Sequence, residues 1–232
     1  MPAAPYRRMD SGAVGSLAAG YPLKLFKPHD PRLSETTEYL LKNCFFDGGF
    51  FHDMTHSGIN PYLSLHVAQV LLRAGDKRYF EVMTSVAQLA SSTGQWPEAI
   101  HPITKGGCMG DGQHVWAAAE WILMIRNCFV REEESESKII LCSGVPEEWL
   151  VFGKKISFGP TLTTFGQISV SIEAQKNDVS VSFQGEWFDA IPLIEIALPG
   201  FQKVSVNNGS ATVILKREAA LKGSRHFSSD EK

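Results

Sequence analysis

Helices first and strands second is the architecture this sequence predicts: helical hairpins to about residue 130, followed by a small antiparallel β-sandwich. Three observations carry it. Residues 62–72 and 115–126 are apolar around nearly their whole circumference, as helices enclosed on all sides are. Between them, Tyr79, Phe80, Val82, Met83, Val86, Leu89 and Ala90 keep one apolar stripe while Lys77, Arg78, Glu81 and Gln88 face away, which marks an outer helix. Past residue 137 helical periodicity stops, and apolar residues alternate with polar ones at the period of a half-buried strand.

In chain order, residues 1–33 hold Gly12, Gly15, Gly20, Pro22, Pro28 and Pro31 with little periodicity and read as an extended lead-in. Ser34 caps a helix to Asn43, and Asp47-Gly-Gly-Phe-Phe-His52 turns the chain into a loop over 44–60. Asn60-Pro61 is a cap followed by proline at the first helical position, and Gly75 ends that helix. Asp76 caps the outer helix, a loop over 93–112 follows, and 113–130 form the second enclosed helix. The acidic run 131–137 reads as a solvated linker. Ile168-Val170-Ile172, Val179-Val181-Phe183, Ile194-Ile196-Leu198, Val204-Val206 and Val213-Leu215 mark strands, with turns at Gly153-Lys154, Lys176-Asn177-Asp178 and Asn207-Asn208-Gly209. The expected division is 1–135 helical, 138–216 a sandwich, and 217–232 a polar, frayed tail.

The 22 Lys and Arg against 25 Asp and Glu leave a net charge of −3, which gives no footprint for nucleic acid and favours a neutral partner. Cys44, Cys108, Cys128 and Cys142 form no CxxC pair and call for no disulfide, a pattern that favours a reducing compartment. No stretch approaches a membrane span and no apolar run follows Arg7-Arg8, so the protein is expected either in the cytoplasm or behind an export signal outside this chain.

The segment from Thr93 to His114 is the most informative, because structureless connections of about 20 residues inside a domain are uncommon and usually functional. Gly106, Gly107, Gly110 and Gly112 permit close backbone approach, and the loop carries Trp96, Glu98, His101, Asp111 and His114. All but Trp96, a candidate stacking platform, have a plainer role: Glu98 bonded to backbone amides, Asp111 a helix cap, either histidine fixing the loop; Trp116 and Trp121, inside an enclosed helix, read as core. His52, Asp53 and His56 are a second polar cluster before the helix at Pro61, and Asp10 is a further candidate contact. His52 and His56 share the i, i+4 spacing of a metal pair, but the HExxH glutamate is absent and Cys108 stands alone, so no metal is expected. No phosphate cradle or GxSxG elbow is present, and no cofactor is expected.

In Trp96-Pro-Glu-Ala-Ile-His-Pro102, in Gly110-Asp-Gly-Gln-His-Val-Trp-Ala-Ala-Ala-Glu120, and in the strands that follow, the chain resembles the six-hairpin glycosidases. The resemblance implies the last inner and outer hairpins of an α/α toroid followed by a β-sandwich, acting on a carbohydrate substrate by an inverting carboxylate mechanism. It implies Glu98 as general base, with Asp111 as the other catalytic candidate, and Trp96, His101, His114, His52 and Asp53 as substrate contacts. An inverting reaction also needs a protonated carboxyl about 6.5–9.5 Å from the base; the resemblance puts it in a missing N-terminal half of the toroid. The open face should then expose Tyr62, Leu65, Trp116 and Trp121. Glu98, His101, Asp111 and His114 should converge on one concave surface with Trp96 at its wall. Two other classes stay open: a non-catalytic carbohydrate-binding or assembly module, and a toroid lyase or epimerase using a His or Tyr proton shuttle.

Overall fold

In the computed structural model, residues 9–53, 58–110, 112–176 and 178–218 are described. Five helices are present among them: α1 (Met9–Ser16), α2 (Pro31–Asn43), α3 (Pro61–Arg73), α4 (Arg78–Gln88) and α5 (Val115–Phe129). The lead-in expected to be extended is therefore helical from Met9. Burial of Val14 and Leu17 against α2 and α3 offsets the helix cost of Gly12 and Gly15. The cap of α2 lies four residues before Ser34, because Asp30 takes that position and its side chain accepts the Arg32 amide.

α3 is the central helix, with ten buried residues of thirteen. Asn60 Oδ1 accepts the Leu63 amide at 2.8 Å, Pro61 occupies the first turn, and Gly75 at φ 68° closes the far end. Replacing Asn60 by alanine leaves that buried first turn without its acceptor and should cost about 1 kcal/mol; Asn60→Asp should recover most of it, as urea unfolding would show. Asp76 Oδ1 accepts the Arg78 amide at the start of α4.

The two stretches read as loops are the first departure from helices followed by strands. Within them lie β1 (Phe45–Phe46), β2 (Gly49–His52), β3 (Gly58–Ile59), β4 (Ala99–Ile100) and β5 (Gly107–Met109), paired in that order into one sheet. Two- and three-residue strands carry no readable alternation, and Ile59 pairs with Ile100 across 41 positions of the chain.

Strand structure resumes directly from α5. β6 (Val130–Glu133) pairs with β7 (Lys138–Leu141), then β11 (Leu193–Ile196) and β12 (Val204–Val206), in the order β12-β11-β7-β6. The β7 and β11 pair is parallel. The third sheet, in the order β13-β10-β9-β8, is antiparallel and holds β8 (Lys155–Thr163), β9 (Gly166–Ala174), β10 (Asp178–Trp187) and β13 (Ser210–Lys216). The fold class and the toroid assignment are corrected by these findings. Five helices and three open sheets, one of them threaded between the helices, are a mixed α and β arrangement; they form neither an arc of an α/α toroid nor a separate C-terminal sandwich.

Two local expectations fall with it. The acidic run is strand up to Glu133, where Glu132 is buried, ion-paired with Arg126, and accepts the Thr164 amide and hydroxyl; Glu134–Glu136 form an exposed 3-10 turn between β6 and β7. Asn207-Asn208-Gly209 joins strands of different sheets, so it is a crossover and not a hairpin. Residues 219–232 of the expected tail lie outside the described residues. One contiguous set of buried apolar side chains runs from Val14 through Leu65 and Met124 to Leu215 and joins all three sheets to the helices.

Candidate functional site

The pairing of β3 with β4 sets the two loops that feed α3 and α5 side by side. Side-chain contacts then climb both helices together: Tyr62 meets Trp116, His66 meets Glu120, and Gln69 meets both Glu120 and Asn127. The helices are therefore parallel, with their N-terminal ends on the same side of the molecule.

Along this seam a chain of rings leads inward from the surface. His114 and Trp116 have centroids 5.6 Å apart, Trp116 and Tyr62 5.5 Å, and Tyr62 and His66 4.5 Å. Trp116 is 64% exposed, whereas Glu120, one turn further along α5, is 4% exposed. Glu120 Oε1 accepts Gln69 Nε2 at 2.9 Å, and Gln69 Oε1 in turn accepts Asn127 Nδ2 at 3.0 Å. His66 Nε2 lies 3.6 Å from Glu120 Oε2, too far for a hydrogen bond.

Burial pushes the Glu120 carboxyl from 4.5 up to about 7, opposed by hydrogen bonds from Gln69 and Tyr21. Burial also lowers His66 from 6.5 to about 4, so at neutral pH it is an uncharged imidazole and forms no ion pair with Glu120. The Tyr21 phenol, edge-on to His66, is raised by burial and then by the Glu120 charge. A carboxyl that keeps its proton near neutrality is able to act as a proton donor or acceptor in that range.

The residues singled out in the sequence divide among three places. Glu98 is half-buried over the start of α5, so close to Gly110 that a Cβ there would lie 3.1 Å from the Glu98 amide nitrogen; Gly110 itself sits at φ 78°. His114 occupies the cap position of α5, and its amide donates to Trp96 O at 2.8 Å. Asp111 lies outside the described residues, as does His56.

Trp96 forms no wall of a site. It is 5% exposed, its Nε1 donates to Val86 O at 2.8 Å, and its ring lies 5.4 Å from that of Trp121. His101 closes its own turn, Nδ1 accepting the amides of Ile103 and Thr104 at 3.2 Å each. His52 and Asp53 pack toward α1 instead: His52 Nε2 is 2.7 Å from Ser11 Oγ, and the Asp53 amide donates to Asp10 Oδ2 at 3.1 Å. Of the face expected to be open, Leu65 is fully buried and Tyr62 and Trp121 are half-buried, which leaves Trp116 exposed beside Val115, Ile122 and Leu123.

Glu120 was legible in one respect, as the single acid in the otherwise apolar run from Val115 to Ile125. Among the described residues no group of three or more His, Cys, Asp or Glu could hold a metal ion, and no helix is long and apolar enough to cross a membrane.

No family model matches the chain, and neither does any curated protein. Two solved structures, described as a wild-type glycosidase and a point variant of it, are similar to part of the chain. Each is 20% identical, with a TM-score of 0.43 over 49% of this chain and 35% of that chain. The match spans about a third of the length of those proteins.

Proposed function

We propose that the protein binds a neutral oligosaccharide over the N-terminal ends of α3 and α5 and hydrolyses it by an inverting carboxylate mechanism. The observation that carries this reading is the seam itself: an exposed Trp116 face beside Tyr62 and His114, leading to a Glu120 carboxyl that burial keeps protonated up to about pH 7. Sugar rings present apolar C–H faces to aromatic side chains, and inversion requires one protonated and one ionised carboxyl. Glu120 takes the acid role, reached from the surface past the rings of Tyr62 and His66. Glu98, on the loop over the same helix end, takes the role of base, and His114 contacts sugar hydroxyls. Trp96 and His101 have no part in it, since core packing and turn closure already occupy them. That commitment favours the second reading, a module that grips a glycan without cleaving it.

One set of measurements separates the two. Reducing-end release and binding are followed with a panel of neutral oligosaccharides for the unaltered chain, Glu98→Gln and Trp116→Ala. Hydrolysis predicts that Glu98→Gln loses at least about a hundredfold in turnover while still binding. Full turnover by Glu98→Gln removes it as the base. Binding that depends on Trp116 without any release by the unaltered chain leaves the binding module standing, and no binding at all rejects both.

A further inference from the structure

Glu120, Gln69 and Asn127 are all buried and form a chain of side-chain hydrogen bonds between α3 and α5. Arg126 closes its far end, Nη1 donating to Asn127 Oδ1 at 3.2 Å. The guanidinium is held in turn by an ion pair with Glu132 on β6 and by the carbonyl oxygens of Val130 and Leu162.

A guanidinium has donors and no acceptor, whereas a side-chain amide has a donor end and an acceptor end. That asymmetry sets the direction of every bond in the chain. Asn127 must turn its oxygen to Arg126, so its Nδ2 faces Gln69 and donates to Gln69 Oε1 at 3.0 Å. With that oxygen engaged, Gln69 presents Nε2 to Glu120 and donates to Oε1 at 2.9 Å. Reversing either amide would set donor against donor in a buried space and leave hydrogen bonds unmade. A carboxylic acid accepts more readily at its carbonyl oxygen than at its hydroxyl oxygen, so in protonated Glu120 the carbonyl is Oε1 and the proton is on Oε2. Oε2 lies 3.6 Å from His66 Nε2. Among the described residues, the other titratable groups near Glu120 are Tyr21, from the segment after α1, which also hydrogen-bonds it, and Tyr62 on α3.

We propose that Arg126, Asn127 and Gln69 are positioning residues: by fixing the direction of the chain they assign the Glu120 proton to Oε2, on the His66 side, where the seam leads out to Tyr62 and Trp116. The assignment stands apart from the glycan reading. Its use rests on that reading: the proton passes from Oε2 to the oxygen of the leaving sugar, while Gln69 holds Oε1 of the carboxylate left behind.

Side-chain amide NMR reads the direction without any turnover. In the unaltered full chain the Gln69 NH2 protons should cross-relax with the Glu120 CγH2 group and not with the Asn127 CβH2 group. Asn127→Asp is the reversing variant, because a carboxylate there still pairs with Arg126 but has no proton to give Gln69. The Gln69 NH2 should then turn to position 127. The Glu120 carboxyl band, identified in the infrared by its loss in Glu120→Gln, should persist to a pH at least about one unit higher, since Gln69 Oε1 now accepts the Glu120 proton and the added charge opposes ionisation. Gln69→Leu removes the donor from Oε1 and should move the carbonyl stretch of protonated Glu120 to higher frequency. Cross-relaxation of the Gln69 NH2 with Asn127 in the unaltered chain overturns the assignment and needs no variant to fold. An unmoved carbonyl stretch in Gln69→Leu overturns it as well. Oligosaccharide turnover tests the use: Gln69→Leu should lose at least about tenfold in kcat at unchanged KM, with the basic limb of its pH profile displaced. Full kcat in Gln69→Leu rejects the positioning role, and no hydrolysis by the unaltered chain removes proton delivery while the spectra still decide the assignment.

Discussion

Replacing Arg73 by alanine should destabilise the protein by about 3–5 kcal/mol, the cost typical of breaking a buried ion pair from one side. Arg73 is the last residue of α3 and is 8% exposed. Its Nε and Nη2 donate to the two oxygens of Glu133 on β6 at 3.2 and 3.1 Å, and its Nη1 donates to Gly20 O and Phe26 O. One guanidinium thus ties the segment after α1, the end of the central helix and the second sheet. Arg131 also donates to Glu133, at 2.9 Å, and is untouched by the substitution, which places the expected loss toward the lower end. Urea unfolding of Arg73→Ala and Arg73→Met checks this. Methionine restores stem packing but no donors, so it should recover less than half; a loss below about 1 kcal/mol in the alanine variant would mean that the tie is not structural.

The second effect is a fall in stability as pH rises through neutrality. Folding raises the Glu120 pKa from 4.5 to about 7, so the folded state holds that proton more tightly than the unfolded state. Its contribution is fully present below pH 4.5 and is lost as pH rises through 7, by up to about 3 kcal/mol. His66 behaves oppositely: its pKa falls from 6.5 to about 4, so its contribution is complete above pH 6.5 and disappears as pH falls through 4. The two slopes oppose each other between 4.5 and 6.5, and from 6.5 upward that of Glu120 stands alone. Urea midpoints should therefore decline between pH 6.5 and 8, by the roughly 1 kcal/mol of the Glu120 contribution that remains there, the rest having been lost at lower pH against the rising His66 contribution. Glu120→Gln, which preserves the acceptor for Gln69 without a charge, should flatten that decline and exceed the unaltered chain at pH 8. An unchanged slope in Glu120→Gln would assign the titration to another group.

Much of the candidate site was visible as residue types without their geometry. The sequence marks 93–114 as a functional connection and names Glu98 and His114, which lie near the start of α5. It also offers Trp96 and His101 as ligand contacts, because nothing local shows that Val86 O will take the indole proton or that the amides of Ile103 and Thr104 will take the imidazole lone pair. Tyr62, His66 and Trp116 read as the apolar side of enclosed helices. They become a site candidate only when α3 and α5 lie parallel and Glu120 is set against Gln69.

By itself the sequence determined the features that neighbouring residues specify: Asn60-Pro61 and Gly75 bounding α3, the single apolar stripe of α4, and the alternation that becomes β9 and β10. These depend on capping, φ preference and side-chain period, all of which act within a few residues. Tertiary structure alone decided the β1 to β5 sheet, the parallel pairing of β7 with β11, the burial of Glu132, the tie made by Arg73 and the upward shift of the Glu120 carboxyl. Each of these requires a partner far away in the chain, such as Ile100 for Ile59 or Gln69 for Glu120. Whether a polar group is paired or a carboxyl desolvated depends on which surfaces the whole fold brings together, and a local window holds no record of that.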